Sequence, residues 1–191
     1  LYAPTYGHLS SIDDWIDDIK ELEKDYNIII KMHHGTAFRE SEQYRREKIL
    51  HNFNNVTSDQ SDLFSLFAIS DFVISDNSGI IFDAILAEQN ILLLNPTSQV
   101  LRKDGSNEVR IREKIINLEK GDDLRLYLKD NNLFIKQKSE LFDVLYNLDQ
   151  FRDGNSGSRA ADEIISLING EKSTAKENPF LYSLRKQIFG F

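Results

Sequence analysis

Residues 70–94 read "SDFVISDNSGIIFDAILAEQNILLL", and few arrangements can bury such a segment. Its two short apolar runs, residues 71–75 and 91–94, have strand length and no polar alternation, so each is expected to be covered on both faces. Between them a polar knot, Ser75-Asp76-Asn77-Ser78-Gly79, opens into an apolar run of helix length at residues 80–88. A strand, a crossover helix and a second strand imply a parallel sheet.

The same alternation recurs on the N-terminal side. Residues 1–5 form a short first strand and lead to a helix start at Ser10-Ser11-Ile12-Asp13-Asp14, where hydroxyl caps and early carboxylates suit an N-terminus. Ile12, Trp15, Ile16, Ile19 and Leu22 then share one helical face, and Asp13, Asp17, Asp18 and Glu21 the solvated one. A β-branched run at residues 28–32 ends at His33-His34-Gly35. A polar helix follows at 41–50, a weak strand at 53–57 and a short helix carrying Leu63, Phe64, Leu66 and Phe67 after Asp62.

Beyond Pro96 the periodicity fades through a stretch holding Arg102, Lys103, Arg110 and Arg112, and no element is placed there. A last strand is expected at 133–135, a helix at 139–148, a loop at 153–159 and a helix through Ile168. The pattern is α/β: a Rossmann-like, doubly wound parallel sheet with helices on both faces. Residues 1–170 are read as one domain. Residues 171–191 are read as a linker and an amphipathic helix that docks on another domain.

Composition narrows the function. The chain has 191 residues, enough for one substantial core, and its net charge of −8 argues against a surface that tracks nucleic acid. Absence of cysteine removes disulfides, thiolate nucleophiles and Cys-bound zinc, and His8, His33, His34 and His51 show no zinc-site spacing. No apolar run is long enough to span a membrane. Because Leu1 stands inside a strand, the sequence is expected to be part of a longer protein.

In an open parallel sheet, ligands bind beyond the carboxyl ends of the strands. The polar groups there are Thr5 to His8, Lys31 to Gly35, Ser75 to Gly79 and Asn95 to Thr97. A helix beginning near Asn77 or Ser78 would aim its N–H groups at that edge, and Gly79 would let a ligand approach the backbone, so phosphate is the natural guest. Each piece also has a plain structural use: Asp76, Asn77 and Ser78 as caps, the histidines as satisfied strand-end groups, Asp83 as a solvent-facing carboxylate, and the arginines as a solvated loop. Phosphate-loop, dinucleotide-fingerprint and nucleophile-elbow motifs are absent.

The ordered set "YAPTYG", "IIIKMHHG", "SDFVISDNSGIIFDAI" and "FRDGNSGSRAADEI" resembles the C-terminal half of the CDP-glycerol glycerophosphotransferase family, the enzymes of teichoic acid and related capsule polymers. The family's stretches read roughly YAPTWR, K-x-HP, DYSS with a following FD, and DG-x-x-S-x-R, and the resemblance covers most of residues 1–170. It implies the two-domain glycosyltransferase-B architecture, with this half binding the nucleotide-linked donor and the acceptor side supplied by a missing N-terminal domain.

Position by position, the resemblance gives His33 the catalytic place. Lys31, Asp76, Ser78, Asp83, Ser158 and Arg159 fall to donor or phosphate binding, with Asp153 and Gly154 in the late motif; Thr5, Asn77 and Gly79 join them as strand-end groups and Arg112 as a further positive charge. Asn77 and Gly79 replace an aromatic residue and a serine, His34 replaces proline, and Gly7 and His8 replace tryptophan and arginine. The implied reaction passes glycerol phosphate from CDP-glycerol to a growing cell-surface polymer and releases CMP. It requires no cofactor, no residue is assigned to a metal, and the isolated chain is expected to bind donor weakly without turnover. The implied setting is bacterial, at the cytoplasmic face of the membrane. Two alternatives stand: a UDP-sugar domain of a glycosyltransferase or UDP-N-acetylglucosamine 2-epimerase-like enzyme, whose S/T-D-S-G-G turn "SDNSG" approaches, and a non-enzymatic flavodoxin-like binding module.

Overall fold

The structure is a computed structural model that describes residues 1–57, 62–97 and 107–170. Six strands among these residues form one all-parallel sheet: β1 (Tyr2–Ala3), β2 (Ile30–Lys31), β3 (Val56–Thr57), β4 (Val73–Ser75), β5 (Ile91–Leu94) and β6 (Ile116–Leu118). Their order is β3-β2-β1-β4-β5-β6, so the direction of winding reverses between β1 and β4. Register pairs Tyr2 with Ile74 and Ala3 with Ser75 across that point. This is the doubly wound, Rossmann-like arrangement expected from the sequence.

The helices follow from the apolar spacing. In α1 (Ile12–Glu21), the residues Ile12, Trp15, Ile16 and Ile19 are buried, and with Leu22 just beyond the helix they join Ile30, Ile74, Leu92 and Leu94 in one core. The core is extended by Ile49 of α3 (Gln43–Asn52) and by Leu124 and Leu128 of α7 (Leu124–Lys129). On the other face α5 (Ile80–Leu86) packs against β4 and β5 and buries Ile81, Ala84 and Ile85. β5 therefore has all four residues buried, which is why "ILLL" carries no polar alternation.

Three expectations need correction. Residues 133–135 are not a strand but part of α8 (Asn131–Leu148). The buried face there is Phe134, Gln137 and Leu141, a helical spacing interrupted by a polar residue. Gln137 is accommodated because its Nε2 donates to the Ile91 carbonyl at 2.9 Å. The stretch after Pro96, where the sequence places no element, holds α6 (Asn107–Arg112), β6 and α7. The turn after β2, where the sequence places no helix before residue 41, is a short helix, α2 (His34–Phe38), followed by a 3-10 turn at Glu40–Glu42. The short helix after Asp62 is α4 (Leu63–Ala68), capped by the Asp62 carboxylate on Phe64 N–H at 3.1 Å.

By compactness the chain divides into residues 1–142 and 143–191. The second unit contains the end of α8, a turn with Gly154 at φ +72°, and α9 (Ser156–Ile168). Arg102, Lys103 and the expected linker and final helix at 171–191 lie outside the described residues.

Candidate functional site

Asp76 joins the loops that leave β1 and β4, and it is wholly buried. Its Oδ1 accepts from the Thr5 N–H at 2.8 Å, and its Oδ2 accepts from the Ser11 N–H at 2.7 Å and the Ser11 hydroxyl at 2.8 Å. The hydroxyls of Tyr2 and Ser11 lie 2.8 Å apart, and the Ser75 hydroxyl donates to the Ala3 carbonyl at 2.7 Å. Burial pushes the Asp76 carboxyl up to about 6, against the opposing pull of these donors and of Arg112. The same burial, with Asp76 nearby, holds the Tyr2 phenol well above its usual value.

This geometry changes the reading of the Ser10-Ser11 start. The Ser11 side chain makes no cap hydrogen bond; it serves Asp76 instead, while Ser10 Oγ accepts from the Ile12 N–H at 3.3 Å. A carboxylate thus sits at the N-terminal end of α1, where dinucleotide-binding folds of this topology seat a diphosphate. The chain supplies its own anion at that end of the crevice.

Arg112 closes the same knot. Although the sequence gives it no position, its Nη2 donates to the Asp76 carbonyl, bringing the end of α6 to the switch point. Asn77 and Ser78 are half-buried and Gly79 exposed, with Ser78 Oγ a distant 3.5 Å acceptor for the Ile80 N–H. A Cβ placed on Gly79 would meet nothing within 4 Å, so the room is on the open side of the knot. Asp83, in α5, is half-buried, and desolvation raises its carboxyl above the usual range.

One strand over, at the end of β2, His33 caps α2. Its Nδ1 accepts from the Gly35 N–H at 2.9 Å, which puts the ring proton on Nε2. Desolvation, then the neighbouring His34, Lys31 and Arg39, lower the pKa of His33, with Glu42 opposing. The resting ring is a neutral imidazole whose remaining group is a donor. Tyr6, from the β1 loop, stacks on it with centroids 4.7 Å apart and rings 23° from parallel. A Cβ on Gly35 would lie 2.5 Å from Tyr6 Cγ, so only glycine admits this ring. Tyr6 therefore links the ends of β1 and β2, a role that nothing in its local sequence signals.

The late motif belongs to the second compact unit. There Arg159 Nη1 donates to both Asp153 oxygens at 2.9 and 2.8 Å, Nη2 donates to Ser156 Oγ at 3.0 Å, and the guanidinium lies 4.2 Å from the Phe151 ring centroid. The Asn155 N–H, then Arg159, hold the Asp153 carboxyl below its usual value. Ser158 is exposed. Asp153 and Arg159 thus close a loop at the start of α9. Thr5, Asp76, Asn77, Ser78, Gly79 and Arg112 gather at the switch point, with Lys31 and His33 at the adjoining strand end.

Among the described residues no cluster of three or more acidic or histidine side chains could hold a metal ion, and no helix is long and apolar enough to cross a membrane. No curated protein matches the chain. The sequence model of one protein family matches residues 1–166, nearly all of the sheet and its helices. The chain therefore belongs to the CDP-glycerol:poly(glycerophosphate) glycerophosphotransferase family, a family of transferase enzymes.

Proposed function

We propose that this chain is the donor-binding half of a glycosyltransferase-B-type glycerophosphotransferase. In this reading CDP-glycerol lies across the carboxyl ends of β1, β2 and β4, with its diphosphate between His33 and the 75–79 knot. The observation that carries it is the His33 tautomer. A neutral ring with Nδ1 occupied by Gly35 N–H presents Nε2–H as a fixed donor beside Lys31, in a family that transfers glycerol phosphate from a diphosphate-linked donor.

The step this would serve is phosphoryl transfer. An acceptor hydroxyl forms a bond to the glycerol-bearing phosphorus, the bond from that phosphorus to the bridging oxygen breaks, and CMP leaves with the electron pair. The hydroxyl proton passes to a general base, which we place on the acceptor side of the cleft. Negative charge grows on the leaving phosphate, so donors held in place beforehand lower the barrier most. His33 Nε2–H supplies one such donor, and Lys31 the nearest fixed charge. Ser78 and the first-turn N–H groups of α5 face the other phosphate, and Arg112 holds the knot that positions them. Asp76 acts through the backbone, by fixing the β1 and β4 loops against one another. Ser158, Arg159 and Asp83 remain candidates for donor binding on the resemblance alone. Teichoic acid or a capsule polymer is the corresponding acceptor, reached at the cytoplasmic face of a bacterial membrane where nucleotide-activated donors are made.

Calorimetric titration of the 191-residue chain with CDP-glycerol, CDP, CMP, UDP and UDP-N-acetylglucosamine, repeated with His33→Ala, tests this reading. Cytidine-selective binding that needs both the diphosphate and His33 is expected. A uridine preference would move the chain to the sugar-nucleotide class.

A further inference from the structure

Among the described residues Lys20, Lys24, Arg45, Lys120, Arg125, Lys136 and Arg159 each pair with a carboxylate. The basic groups around His33 do not. Lys31 is half-buried, His34 and Arg39 are exposed, and among the described residues none of the three has a carboxylate within ion-pair distance. Glu42, which acts on His33 from nearby, is itself buried and bonded to Arg45 at 2.8 Å.

Arg39 and His34 are gathered by rings. Arg39 lies with its guanidinium carbon 4.5 Å from the Tyr6 centroid, His34 has its ring centroid 4.1 Å from that of His33, and Tyr6 stacks on His33. A guanidinium laid on an aromatic ring keeps its edge N–H groups outward in the fork that matches phosphate oxygens. Like charges drawn together without a counter-ion repel, and an incoming polyanion relieves that repulsion.

We propose that Arg39 and His34, assembled on Tyr6 beside His33, complete an anion subsite that grips the diphosphate of the donor; this rests on the donor-domain reading above. Neither residue is among those the family resemblance assigns to the donor. His34 stands where the resembling motif has proline, and Arg39 lies beyond it, so the subsite is a property of this chain's own sequence. Arg39 supplies a bidentate, permanently charged contact. His34 supplies a second, exposed imidazole whose ring N–H can donate to the same anion. Tyr6 is a positioning residue, holding Arg39 and His33 in one orientation.

The test uses the full 191-residue chain, titrated at fixed salt with CDP-glycerol, inorganic diphosphate and cytidine. Arg39→Ala is expected to weaken both phosphate ligands about tenfold, the loss typical of one charge-assisted contact, and Arg39→Lys to restore part of it. His34→Ala is expected to cost several-fold, and Lys138→Ala, which removes a distant exposed charge on α8, nothing. Cytidine binding should be unchanged throughout. If His33→Ala weakens binding while Arg39→Ala and His34→Ala stay within twofold of the parent, the subsite is overturned and the donor reading stands. If Arg39→Ala weakens cytidine equally, its effect is on the fold and the subsite is again overturned. If the parent chain binds neither phosphate ligand, both readings fall together.

Discussion

Replacing Asp76 by asparagine tests the central tie of the fold with almost no change of shape. The carboxylate accepts three hydrogen bonds, one at Oδ1 from Thr5 and two at Oδ2 from Ser11, in a fully buried place. An amide has one acceptor oxygen, so whichever way it is turned its NH₂ faces a backbone N–H. The Ser11 hydroxyl can rotate to accept, but an N–H cannot, and one buried unsatisfied donor costs about 1–3 kcal/mol. The pH dependence is the sharper signature. The folded carboxyl titrates at about 6 and its ordinary value is 3.8, so between those values the native state binds more protons than the unfolded chain. Its contribution to stability is therefore present at low pH and lost as pH rises through about 6. From pH 7 to pH 4.5 that linkage amounts to about 2 kcal/mol, which asparagine cannot supply. A protonated carboxyl also retains a lone pair for Ser11 N–H, whereas an amide nitrogen has none. Urea unfolding at both pH values can be followed through Trp15, the single tryptophan, which is buried with its indole N–H on the Asn95 carbonyl at 3.0 Å. The gap between parent and Asp76→Asn should widen by about 2 kcal/mol on acidification. Parallel pH profiles would refute the buried, proton-binding tie.

Gly35→Ala should abolish donor binding and destabilise the fold by about 1–3 kcal/mol, since the new Cβ would stand 2.5 Å from Tyr6 Cγ; denaturant unfolding alongside titration checks both effects. Ser78→Ala should weaken CDP more than cytidine, with equal losses arguing against a phosphate at the start of α5. Gln137→Ala leaves the buried Ile91 carbonyl without its side-chain donor and should cost about 1–3 kcal/mol of stability with donor affinity intact, measured by unfolding and titration of the same preparation.

The two kinds of feature in this molecule differ in how far their causes lie apart along the chain. Strand β5 and the buried face of α1 are written locally, as an unbroken aliphatic run and as a spacing of three and four, and the structure reproduces both. Residues 133–135 misled because three apolar letters suit either state, and the polar Gln137 that continues the helical face finds an acceptor for its amide N–H on a strand 46 residues earlier. Strand β6 was illegible for the same reason: a three-residue edge strand, one residue of it exposed, carries too little pattern to stand out. At the site, glycine and polar residues at strand ends mark where a ligand could lie, but not which group does what. Asp76 read as a helix cap beside Ser78, whereas its partners are Thr5 and Ser11, 71 and 65 residues away. In the donor-domain reading proposed above, that long-range tie bears on the ligand. A carboxylate filling the α1 end of the crevice would repel a donor diphosphate from β1 and favour β2, where among the described residues Lys31, His34 and Arg39 have no carboxylate in ion-pair range. On that reading the placement of one buried acid selects the strand end that receives the anion.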